Sequence, residues 1–357
     1  MKLIKARILL LLLFPGFSFA RTAESFEDLS NNPQDSSYIR KFKDQPHLTF
    51  EFARRNQEIR LINPLNENQS VNYEPNTRVS FITSFDYRWL SLSLGLFSYG
   101  AADSDKKGDT EQFNLKFSFN GRRIWNTNYI QAYQGYFQNN PLVSNPNWNP
   151  QTEIYPQRPD IFNFTFFSNI AYCFRPDRFS YRAALWQLDR QEKSAGSFIT
   201  GLSYRFNLID SDSSITMIPF SLYNDFQPNN RAVSVRQSTF TFHGGYIHTF
   251  VAKKSWFCTL YFLPGIAFES GFYRPDDLRV RNFKSATTLA TEFRIILGYN
   301  GLKWFGGVSG HSLSYAGNRK ADLWVDSSFG WVRFFGGYRF NQVDRTKGPK
   351  LLRTIGL

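Results

Sequence analysis

The chain has 357 residues with 42 Lys and Arg against 29 Asp and Glu, a formal net charge of +13, and a mean hydropathy of −0.39. After the first twenty residues no run approaches the roughly 20 apolar residues that a helix needs to cross a bilayer, so helical spans are excluded. With 18% aromatic residues, among them 38 Phe, the composition fits apolar residues spread one in two, as a transmembrane β-strand requires.

At the N-terminus, Lys2, Lys5 and Arg7 precede the apolar run Ile8 to Phe14 and the breaker Pro15-Gly16, and Ser18-Phe19-Ala20 offers small residues to a signal peptidase. Residues 1–20 are therefore expected to be a secretory signal peptide cleaved after Ala20. Losing its three cations takes the charge from +13 to +10. Export removes nucleic acid as a partner and leaves anionic head groups, acidic glycans, anionic solutes, or simply water around basic loops. No Cys follows the cut, and Cys173 and Cys258, far apart in apolar stretches, read as buried small residues. Residues 21–45 are polar and aperiodic, a periplasmic N-terminal stretch or small plug.

From residue 46 the period is two. In Leu90-Ser91-Leu92-Ser93-Leu94-Gly95-Leu96 one face is leucine and the other small or polar. Phe113, Leu115, Phe117 and Phe119 repeat the pattern, as do Phe162, Phe164 and Phe166, then Phe240 and Phe242, then Phe334, Tyr338 and Phe340. Short turns at 86–88, 120–122, 175–177, 252–254 and 300–301 alternate with polar loops at 63–76, 101–110, 138–160, 190–196, 224–236, 273–283 and 315–321. Such alternation belongs to an outer-membrane barrel, with short periplasmic turns and long external loops, and not to a soluble sandwich. The pattern predicts a closed antiparallel up-and-down barrel over 46–340 with about fourteen strands, or twelve. The fourteen include strands around His47–Ile62 and Ile215–Leu222, and two strands over Arg178–Ser197 joined by a charged outer hairpin. Residues 341–357 form a basic periplasmic tail after Gly337-Tyr338-Arg339-Phe340, which looks like an assembly signal in a last strand. Trp89, Trp125, Trp256 and Trp304 each follow a short turn and are expected to form one interfacial girdle.

Three segments carry a family resemblance: Arg178-Phe179-Ser180-Tyr181-Arg182-Ala183-Ala184, the stretch from Arg190 to Phe198, and Tyr73-Glu74-Pro75-Asn76. On these the chain resembles a family of Gram-negative outer-membrane barrels catalogued only as a domain of unknown function. The resemblance implies fold and outer-membrane location over nearly all of the mature chain and assigns no activity.

The chemistry offered by the sequence is sparse. The closest His and Ser pairing is Gly310-His311-Ser312-Leu313-Ser314, whose hydroxyls fall on the strand face opposite His311. His243 and His248 also fall on opposite faces. No catalytic residue, cofactor or metal is assigned. With the Phe and Leu faces turned to lipid, the inward set includes Lys116, Arg182, Glu292, Arg294, Arg333 and Arg339, lining a cation-rich pore or bracing the wall. Three functions stay open. The first is a channel for small solutes. The second is a non-conducting surface or scaffold barrel whose loops, particularly Gln138–Asp160 with Trp148, bind glycan, lipid or protein. The third is a lipid-modifying enzyme using His311. Outer-membrane lipids and the barrel-assembly machinery are the partners this architecture implies.

Overall fold

A computed structural model describes residues 34–342, apart from short stretches at 43, 64, 78, 100–102, 213–215, 227–230, 276–278, 283–284, 316–323 and 327–328. The expected signal peptide, its cleavage site, most of 21–45 and nearly all of the tail lie outside the described residues.

In chain order the first elements are β1 (Ile39–Lys41), β2 (His47–Asn56), β3 (Ile59–Asn63), β4 (Asn66–Glu74), β5 (Val79–Tyr87) and β6 (Leu90–Tyr99). After helix α1 (Ser104–Lys107) come β7 (Glu111–Asn120), β8 (Ile124–Gln138) and β9 (Gln157–Cys173). Helix α2 (Tyr181–Trp186) precedes β10 (Asp189–Gln191), β11 (Ala195–Asp210), β12 (Ala232–Ala252) and β13 (Trp256–Pro275). The chain ends with β14 (Arg281–Asn282), β15 (Ala286–Asn300), β16 (Trp304–Tyr315), β17 (Trp324–Asp326) and β18 (Phe329–Arg339).

Twelve strands form the ring, in the order β2-β5-β6-β7-β8-β9-β11-β12-β13-β15-β16-β18, and β18 pairs back onto β2 from Gly330↔Asn56 to Arg339↔His47. Every strand of the ring is paired antiparallel on both sides, so the ring itself has no edge. The outward face carries Phe50, Phe52, Leu92, Leu202, Phe240, Phe242, Phe262, Phe268, Leu289 and Phe334 exposed, while Glu51, Ser91, Ser93, Thr241, His243 and Arg333 point inward and are buried. An apolar belt around a polar interior is the pattern of a barrel whose solvent is lipid.

Twelve strands replace the fourteen of the principal expectation. Ile215–Leu222 contributes no strand; its described part ends in a single 3₁₀ turn over Phe220–Leu222. The expected strand His47–Ile62 breaks into β2 and β3. The two strands expected over Arg178–Ser197 are instead α2, β10 and only the first residues of β11. Residues 190–196 are accordingly no outer loop: they lie on the short-turn side, where β1 pairs β10 from Ile39↔Gln191 to Lys41↔Asp189.

Candidate functional site

The interior that this ring encloses is packed, among the described residues, from both ends. At the long-loop end, the β3–β4 hairpin leaves the ring between β2 and β5 and docks on the end of β8 through Tyr73↔Gln138 and Glu74↔Phe137. With β5, β6 and β7 intervening, it crosses the mouth, and β17 adds to its free edge. Ile59, Leu61, Val71 and Tyr73 of the hairpin pack with Met217, Ile218, Leu222 and Phe226 from the β11–β12 connection and with inward Tyr133, Ile209 and Tyr273 of the wall. Burying one such side chain contributes about 1.5–3 kcal/mol, so the cap is held mainly by apolar burial. Polar ties complete it: the Tyr73 hydroxyl donates to Met217 O at 2.8 Å and Arg158 Nη1 to Thr216 O at 2.8 Å. Burial pushes the Tyr73 phenol up to about 12, so it remains a donor at any ordinary pH.

The short-turn end is closed by α2, which the β9–β11 connection inserts into the lumen. Its N-cap is Ser180, whose hydroxyl accepts from Ala183 N at 3.1 Å and donates to Asp189 Oδ2 at 2.8 Å. Tyr181 stacks on Trp125 with ring centroids 3.3 Å apart, and Ala184, Leu185 and Leu188 pack against inward Ile199, Tyr261, Leu263 and Phe335. The last turn leaves carbonyls without helical partners, and the wall supplies donors. Arg333 Nη2 reaches Leu185 O at 3.4 Å, Arg339 Nη2 reaches the C-cap Gln187 O at 2.5 Å, and just past the helix Asn300 Nδ2 reaches Asp189 O of β10 at 3.0 Å. Cations here also oppose the negative end of the helix dipole. Gln187, the C-cap residue, adopts φ 55°, which turns the chain back out towards β10.

Between the stoppers lies a polar layer of paired charges. Glu292 accepts from Arg294 Nη2 at 2.6 Å and from the Tyr261 hydroxyl at 3.1 Å, and lies 2.9 Å from His311 Nε2. Glu51 accepts from Arg333 Nη1 at 2.8 Å. Buried charges persist when paired in this way. Within this layer lies a chamber of about 20 Å³ against Glu51, Lys116, Trp186 and Arg333, room for one or two waters.

Lys116, Glu292, Arg294, Arg333 and Arg339 thus sit on inward strand faces, all buried. Arg182 does not line the wall: it rides on α2, donating to Asn120 O at 3.0 Å and lying 3.3 Å from Asp189. Of the four tryptophans, Trp256 and Trp304 are 56% and 65% exposed beside short turns. Trp125 points inward at 1% exposure beneath Tyr181, and Trp89 is folded onto Phe119, so neither is presented as a girdle residue. Trp148 is likewise buried in its loop, against Tyr155, with its indole N–H on Ile154 O. His311 faces the lumen while Ser312 and Ser314 face outward; the inward hydroxyl two residues away is Ser309, buried like His311 itself. His243 points inward and His248 outward. Cys173 and Cys258 are both free thiols.

Sequence reasoning missed Glu51, although its alternation with exposed Phe50 and Phe52 marks it as inward. It also missed Ser180, Asp189 and Asn300, for which only the cap pattern of Ser180 before an apolar run gave a signal.

The family described as a domain of unknown function, DUF4421, matches residues 33–340. No curated protein matches the chain in sequence. Among solved structures it is similar to the outer-membrane protease OmpT of Escherichia coli, at 8% identity and a TM-score of 0.36, covering 84% of this chain and 98% of that one. It is also similar to the COG4313 outer-membrane channel of Pseudomonas putida F1, at 11% identity and 0.32, covering 87% and 100%. The P. putida toluene transporter TodX aligns at 9% identity and 0.26, covering 87% and 92%. Likenesses this distant carry no argument about activity.

Proposed function

Because the chain belongs to the family described as a domain of unknown function, DUF4421, which brings no chemistry with it, we propose from the lumen alone that it is an outer-membrane scaffold barrel, non-conducting at rest, that works through its long-loop face. The observation that carries this is the filling of the lumen at every level, with an apolar cap above, paired charges in the middle and α2 below. The basic interior then braces the wall and holds α2. The long-loop end also presents exposed apolar side chains, Leu65, Leu142, Ile154 and Phe220, on a surface otherwise rich in Asn and Gln, suited to binding a glycan, lipid or protein. Lipid would meet the Phe and Leu belt, and the barrel-assembly machinery would meet the last strand, which ends in Tyr338-Arg339 just before Phe340.

Planar-bilayer recording on the refolded full chain tests the reading. A flat trace is expected, and reproducible conductance steps from the wild-type protein would overturn it. A gated solute channel is the second reading. It is favoured by one observation: α2 belongs to a connection and not to the wall, so the ring could stay closed while α2 withdrew.

A further inference from the structure

The residual chamber in the middle of the lumen has an unbalanced lining. Its charged lining residues are Glu51, Arg55, Lys116 and Arg333, and beyond them the Asp86 carboxylate also acts on Lys116. Three cations including Lys116 itself against two carboxylates leave one positive charge. Glu51 is committed to Arg333 at 2.8 Å, and Arg55 donates to Asn114 Oδ1. Lys116 is 8% exposed and lines the chamber; its ammonium lies 3.8 Å over the Trp186 ring, and among the described residues no carboxylate stands within ion-pair distance of it. A ring face satisfies only part of an ammonium with three N–H donors. A buried cation left there without a counter-charge is costly. The chamber of about 20 Å³ has room for a single small ion or a water or two.

We propose that this chamber is a binding site for one small monovalent anion of halide size, seated against the Lys116 ammonium and beside the Trp186 side chain that α2 brings into the lumen. The anion would balance the excess charge and tie the stopper to β7. The site needs no solute path, since the anion can be taken up as α2 docks.

The test uses the full chain refolded in detergent. Crystals grown in bromide should show one anomalous peak in contact with Lys116 Nζ. Thermal unfolding in chloride or bromide should exceed that in gluconate at equal ionic strength by about 1–2 °C, the shift that roughly 1 kcal/mol produces at this size. The Lys116→Met variant should lose both the peak and the halide-specific shift. Water alone in the chamber, or equal midpoints in halide and gluconate for the wild type, would overturn the proposal. The diffraction arm needs no variant, so it stands even if Lys116→Met fails to fold.

Discussion

At the long-loop end the mouth is closed by a hairpin and a connection that bury their side chains together with the wall, while at the other end a six-residue helix is held by arginines and an asparagine reaching in from the strands. The cap is therefore a small core of its own, and its cohesion follows apolar area. The inner stopper has a core too, yet its carbonyls depend on wall residues distant in sequence. Damage to the wall should loosen the lower stopper and spare the upper one.

The largest effect is expected from removing both. Deleting residues 59–74, or replacing residues 179–188 by a flexible linker, should each leave a bilayer trace flat, because the other stopper remains; the combined variant should conduct in steps. Conductance after either single change would mean that the two closures are not independent. Heat-modifiable migration on a gel checks that each variant still forms a barrel.

Trp186→Ala should destabilise the barrel by roughly 3–5 kcal/mol in urea unfolding from micelles, the range for emptying a packed aromatic site. Arg339→Met removes the donor to Gln187 O, Gly301 O and Asn300 Oδ1. Its expected cost is about 2–4 kcal/mol, since charged donors count for more than neutral ones. Hydrogen exchange should then quicken at the amides of Ala184 and Leu188 while those of the β3–β4 hairpin stay protected. Equal quickening at both ends would erase the contrast.

The smallest effect belongs to the cap. Tyr73→Phe removes one hydrogen bond and should cost about 0.5–1.5 kcal/mol. Its pH dependence has a definite sign. With the folded phenol raised from 10.0 to about 12, the unfolded chain ionises first, so this share of stability is whole below pH 10 and is lost as pH rises towards 12. The decline over that window should be shallower in the variant.

The ring was legible because a strand between lipid and lumen must alternate, as Leu90 to Leu94 and Phe240 to Phe242 do. The helix was not. Phe179, Tyr181, Ala183 and Leu185 are apolar at every second position and imitate a strand, whereas a helix enclosed on all sides buries residues all round and shows no stripe. Ser180, Tyr181 and Ala183 are buried together with Ala184, Leu185 and Trp186, so neither period stands out. Trp125 misled for a related reason: its place after a short turn fits an interface, but it faces the lumen, where Tyr181 covers it. The inward charges could be read from alternation with Phe neighbours. Their partners could not, since Arg333 and Glu51 meet only across the seam between the last strand and the first.

That seam has a consequence for the order in which the molecule comes together. Arg339 is the final residue of the ring and pairs His47, its first, and the same side chain holds Gln187 and Asn300. Until the last strand arrives, the helix lacks one of its fasteners and the wall lacks its closing hydrogen bonds. Sealing of the cylinder thereby also completes the latch on the lower stopper, so a chain truncated before β18 would lack both the closing hydrogen bonds and this fastener.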